Sequence, residues 1–335
     1  MAKTPSLFDS GVPRDVSEQL ARYFIDAQQR AKKIILNPPG TKQSSRQFHR
    51  AAASERLVQI DGVLRRLNRD ASDWVGEQMP EVYREGIRRA HRQAVEAGVR
   101  GDGRGASALE GSFTVIDERA LTVLARDTMA DLNKAADSMG DRYKSVLRQT
   151  AEIGMSAADV NTLLAGGIID GAPVETARAL TKELRAIHGD RVRLIDKNGE
   201  ARELKVGYYA DMVARTKTRE AVEAARHERL EELGLDLVAI VGKESDNFCT
   251  AFLDQVFSLS GRSEKYPPLS SIPGGGPPFH PNCSKSTRPF VEELATEKQL
   301  ERGEGIPDAR KLLGMDTSRA QKAYKELQIR QQLRK

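Results

Sequence analysis

Two cysteines and one histidine carry most of the chemistry open to this sequence. Cys249 and Cys283 are its only cysteines, and His280 stands three residues ahead of the second. Thiolates and imidazoles are the usual ligands of tetrahedral zinc, and a cysteine beside a histidine is also a nucleophile with its base. A structural zinc site takes four donors. Here three are of that kind, and Asp246 or a water would have to be the fourth. A disulfide closing a loop of about 34 residues is a second reading, and two buried, reduced thiols beside a packed histidine are a third. All three stay open at this point. The side chains are expected to meet as one local cluster, with a fold that does not require zinc.

Other chemistry is thin. His280 lies between Phe279 and Pro281, with no third group to orient it, which disfavours thiol catalysis. Asp246 and Asp254 flank Cys249 but read as polar turn residues. Gly274-Gly275-Gly276 lacks the Lys-Ser/Thr pair and the helix of a phosphate loop, and neither G-x-S-x-G nor H-E-x-x-H is present. His49, His91, His188 and His227 fall on helical stretches and read as surface or capping residues. No catalytic residue is assigned, and the chain is read as a non-enzyme.

The cysteines sit in Gly242–Val291, a stretch so dense in proline and glycine that helix and central strand are excluded from most of it. It also carries Phe248, Phe252, Phe257, Tyr266, Phe279 and Phe290, side chains that demand burial. The expectation is an ordered set of loops over a small sheet. Three elements lead into it. Arg191–Ile195 and Arg202–Val206 alternate around Asn198-Gly199 and predict a β-hairpin. Tyr208–Leu233 predicts a long helix closed by Gly234, and Leu237–Val241 a short apolar strand.

Upstream, apolar spacing predicts helices over Arg14–Leu36, Ser44–Asn68 and Ala71–Ala97, the last kinked at Pro80. Gly98–Gly111 breaks the pattern and marks a hinge. Helices follow over Asp117–Met139, Asp141–Ile153, Ser156–Leu164 (with Ser156 as its cap) and Pro173–His188. A helical tail is expected over Glu292–Glu301, 308–313 and 318–333, and residues 1–13 are expected to be poorly ordered. This is an α+β chain, mostly helical through its first two thirds. Its segments are 1–97 as a partner-docking region, 98–111 as hinge, 112–189 as helices, 190–291 as a small α+β domain and 292–335 as tail.

The 335 residues are 39% apolar and 30% charged with 5% aromatics, a mixture typical of long solvated helices. A net charge of +5 is too diffuse to demand nucleic acid. Arg65, Arg66, Arg69, Arg84, Arg88, Arg89 and Arg92 stud the early helices, but acidic residues are interleaved and explain them as intrahelical pairs. No apolar run is long enough for a membrane span and no secretory segment follows Met1, so folding in the cytoplasm and no membrane partner are expected.

The run Tyr209–Thr216 (YADMVART), a helix, an apolar strand, an Asp-x-x-Cys turn and Pro277–Cys283 (PPFHPNC) together resemble the Mu F-like minor head proteins of tailed bacteriophages. These are also called head morphogenesis or minor capsid proteins. The resemblance covers about Val192 to Val291. It implies a structural virion component, present in few copies, bound to the portal protein and aiding head assembly or DNA delivery. Major capsid or scaffolding protein and phage DNA are further partners it allows. Many relatives carry C-x-x-C after the Asp and Arg-Cys after His-Pro-x-Cys, a zinc-type set. Here Phe252 and Ser284-Lys285 stand at those places. Arg215, Thr216, Pro278 and Pro281 are read as structural, with Arg215 tying the helix to the proline-rich loop. Two rivals remain: an ADP-ribosyltransferase-like or nuclease-like enzyme with a pocket uniting Arg215, Asp246 and His280, and a DNA-binding packaging factor.

Overall fold

A computed structural model describes residues 14–40, 44–98, 115–167, 169, 174–195, 200–245 and 247–303. Residues 1–13, most of the glycine-rich hinge, Pro173, the turn 196–199, Asp246 and the expected helices 308–313 and 318–333 lie outside them. The described chain is α+β, with seven α-helices, a two-stranded hairpin and a three-stranded antiparallel sheet.

Helix α1 spans Arg14–Leu36, as the apolar spacing requires. Asn37-Pro38-Pro39 stops it, and the buried Arg56 caps it by donating to the Ile34 carbonyl and, at 3.2 Å, to that of Ile35. Burial pulls that guanidinium down to about 10. Helix α2 is one element, Arg46–Glu96, and corrects the expectation of two. Nothing in Asn68-Arg69-Asp70 breaks a helix, and Leu67, Ala71, Trp74 and Val75 carry the buried face straight across. Pro80 sits inside it.

Helix α3, Val115–Ile153, is likewise one helix where two were expected. Gly140 reads as a break but serves packing, because a methyl group there would lie 2.7 Å from Leu64 Cδ1. Helix α4, Ala157–Leu164, starts on the expected cap: Ser156 and Asp159 form a reciprocal capping box. Helix α5 covers Val174–His188, and the hairpin pairs β1 (Arg191–Ile195) with β2 (Ala201–Lys205). Helix α6 follows at once, Val206–Glu232, with Gly234 at φ +78° behind it.

Chain packing divides into two compact units, neither of them a consecutive stretch. One comprises Pro13–Glu77 and Arg126–Ala214. Within it Arg142 of α3, almost fully buried, joins Glu183 of α5 at 2.8 Å and Glu203 of β2 at 2.7 Å.

The other unit, among the described residues, comprises 78–98, 115–125 and 215–303, and it holds the cysteines. Its strands β3 (Leu237–Val241), β4 (Val256–Ser258) and β5 (Ser286–Pro289) lie in the order β4-β3-β5. Val238, Ile240, Phe252, Phe257, Leu269 and Ile272 form the core beside Ala90 of α2 and Leu230 of α6. A second cluster packs Tyr83 and Ile87 of α2 against Ala225 of α6. Both sheet edges are occupied: Ser258 donates its N–H to the Pro267 carbonyl, and Thr287 donates its own to Glu223. The loops expected over a small sheet are thus present, with short 3-10 turns at Phe248–Phe252, Leu269–Ser271 and Pro273–Gly275. The stretch expected as one helix over Glu292–Glu301 is instead a 3-10 turn, Glu292–Leu294, and helix α7, Glu297–Gly303. Thr296 starts α7 afresh, its N–H bonded to the Gln299 side chain.

Helices α2 and α6 meet at Gly86. A methyl group there would lie 2.5 Å from the Val222 carbonyl oxygen and 2.7 Å from Ala225 Cβ. In an open helix Gly→Ala stabilises by up to about 1 kcal/mol. Gly86→Ala is expected to reverse that sign and cost about 1–3 kcal/mol by overpacking. Urea unfolding of the variant checks it, and a gain in stability would contradict the close crossing.

Candidate metal centre

Cys249 lies in the turn Phe248–Phe252, whose Phe252 is anchored in the core and stacks on Phe279 with ring centroids 5.0 Å apart. His280 and Cys283 lie on the far strap, entered through the cis Pro277–Pro278 bond and turned by Asn282 at φ +61°. The Cys283 N–H donates to the His280 carbonyl at 3.0 Å. These links bring the donor atoms of Cys249, His280 and Cys283 within 4.8 Å of one another. The expected cluster forms. Both cysteines are buried and free, and His280 is half-buried.

The histidine's tautomer follows from its partners. Nδ1 lies 2.9 Å from the Pro281 carbonyl, which can only accept, so Nδ1 carries the proton. Nε2 then presents its lone pair to Cys249 Sγ at 3.2 Å. A ring nitrogen held by a carbonyl while the other faces thiols is the usual arrangement behind a metal-ligating histidine. The pair of cysteines is electrostatically unequal. Hydrogen bonding to Cys283 and burial push the Cys249 thiol up, while the bond from Cys249 holds Cys283 low. His280 is raised, first by its bond to Cys283.

Three donors of the zinc type at this spacing fit one such ion. Asp246, the suggested fourth ligand, lies outside the described residues. Ser245 Oγ stands 3.9 Å from Cys249 Sγ and bonds Thr250 Oγ1 at 3.1 Å. The buried Lys285 donates to the Lys243 carbonyl and, at 3.4 Å, to Ser245 Oγ.

Helix α6 backs the centre. Arg215 and Thr216 are half-buried on it, and Arg219, one turn further on, donates to the Cys283 carbonyl. Below, Glu223 accepts from the Thr287 N–H at 3.1 Å, from Thr287 Oγ1 at 2.9 Å and from Arg226. Thr287 spends its hydroxyl proton on Glu223 and accepts from Arg226 at 2.6 Å, so His227 at 2.7 Å must donate through Nε2–H. Arg219, Glu223, Arg226 and Lys285 were missed by the sequence reading. The signal for the three on α6 was the spacing 215, 219, 223, 226, which lays four ionic residues along one helical face; Lys285 left no such trace. His227, expected at the surface, belongs to this network, and His49 is only 3% exposed.

The remaining expected features fall elsewhere. A cavity of about 630 Å³ is lined by α2, β3, β5 and α7 residues, including Ala239, Arg288, Phe290 and Gln299, and by neither Arg215 nor His280. Arg84, Arg88, Arg89 and Arg92 form a ladder with Glu81 and Glu85 at 2.9–3.1 Å. No helix among the described residues is long and apolar enough to cross a membrane.

A family model described as Phage minor capsid protein 2 matches residues 119–335, well over half of the chain, and the chain belongs to that family. It is a structural protein of a bacteriophage capsid, and it works among other virion proteins. No curated protein and no solved structure matches it.

Proposed function

We propose that the chain is a minor head protein of the Mu F-like kind, carried in the virion and bound at the portal vertex, where it aids head assembly or DNA delivery. The observation that supports this reading most is the family match over residues 119–335, which includes the whole sheet and its Cys–His–Cys strap. Partner docking is assigned to the N-terminal helices, where Phe48 and Val58 are exposed. Deleting residues 1–97 would not test this cleanly, because Tyr83, Ile87 and Ala90 belong to the core around the sheet. Arg84, Arg88, Arg89 and Arg92 are paired with Glu81 and Glu85, which leaves that end of α2 little charge for DNA.

The Cys249–His280–Cys283 centre is read as a zinc-class staple between the Phe248–Phe252 turn and the strap. The core beneath it is apolar and continuous, so the metal trims loop freedom and is not needed for the fold.

Capture of the tagged full chain from infected cells during head assembly tests the placement. The portal protein is the expected partner, and Val58→Asp should weaken its recovery. Recovery of other head proteins without portal would overturn the portal assignment.

A further inference from the structure

We infer that Arg219 is a positioning residue for a metal ion held by Cys249, His280 and Cys283; the inference rests on the metal reading above. Its guanidinium donates to the Cys283 carbonyl, while the Cys283 N–H is held by the His280 carbonyl at 3.0 Å. Both main-chain polar groups of one ligand are therefore fixed, one of them from helix α6. Asn282, just ahead of Cys283, turns the chain there at φ +61°, a conformation that asparagine tolerates better than most residues. One helical turn from Arg219, Glu223 grips the Thr287 N–H. Two side chains one turn apart thus clamp Cys283 at the end of the strap and Thr287 in β5, four residues on, and the Cys283 thiol is aimed before any ion arrives. Outer partners of this sort typically govern metal affinity by about 10–100-fold. A planar fork holds a carbonyl's direction better than an ammonium does.

The test is anaerobic cobalt(II) titration of the reduced, full-length protein after chelator treatment, followed by thiolate-to-cobalt and visible d–d absorption. Wild-type protein should show the bands of a tetrahedral thiolate site. Arg219→Gln should weaken cobalt affinity about 10–100-fold and alter the visible bands. Arg219→Lys should recover part of the affinity, and Arg119→Gln, an exposed control, should change neither. A variant that melts earlier yet binds cobalt with wild-type affinity and spectrum would make Arg219 a mere brace and overturn the inference. Should Arg219→Gln fail to fold, wild-type affinity in Arg219→Lys would overturn it equally. Absence of thiolate–cobalt bands in the wild type would remove the metal reading itself and the inference with it.

Discussion

Glu223→Gln is expected to destabilise the sheet-bearing unit by about 3–5 kcal/mol, the cost of leaving one member of a buried ion pair without the other. Glu223 and Arg226 are both almost fully buried, and the carboxylate also takes both protons that Thr287 offers. Burial alone would raise the Glu223 carboxyl, but Arg226, His227 and Thr287 outweigh it and carry it down to about 2. The sign of the pH dependence follows. The group's contribution is complete above the ordinary carboxylate value of 4.5 and is lost as pH falls through 2. Urea unfolding of the full chain at neutral pH measures the substitution, and the same titration across pH 5 to about 2 measures the linkage. The double variant Glu223→Gln/Arg226→Met should regain part of the loss, since it leaves no unpaired cation. A change below about 1 kcal/mol for the single substitution would contradict a closed ionic network.

Phe252→Ala is expected to cost a similar amount, about 3–5 kcal/mol. Phe252 is fully buried, belongs to the sheet core and stacks on Phe279. Truncation opens a cavity among the side chains of the sheet core and leaves the Phe279 ring without its partner. It should also loosen the cluster, because Cys249 shares its turn and His280 adjoins Phe279. Denaturant unfolding gives the first effect, and cysteine labelling of the native protein the second. Unchanged labelling would show that the turn holds Cys249 without its aromatic anchor.

Parts of this molecule were legible from spacing alone. Helix α1 and strand β3 are unbroken apolar patterns between strong breakers, and both have the expected bounds. Local pattern failed where a residue served a distant partner. Gly140 reads as a break until Leu64 is seen against it, and nothing in the spacing around Gly86 tells that α6 crosses there. The grouping of Gln78–Ala125 with the C-terminal part was hidden for the same reason, since an apolar stripe does not say which other stripe will cover it. At the centre, residue type identified Cys249, His280 and Cys283. The motif drew attention to Arg215, whereas the contact to the strap comes from Arg219 on the same face. A contact between a helix side chain and a loop carbonyl leaves no periodic trace in the loop, and only the ionic stripe on α6 pointed there.

The protein composition of purified heads, determined by quantitative mass spectrometry with cross-linking, tests the proposed role most directly. The proposal requires the chain in mature particles at a few copies each, cross-linked to the portal protein. Its absence from particles that package DNA normally, while it accumulates free in the infected cell, would contradict that role.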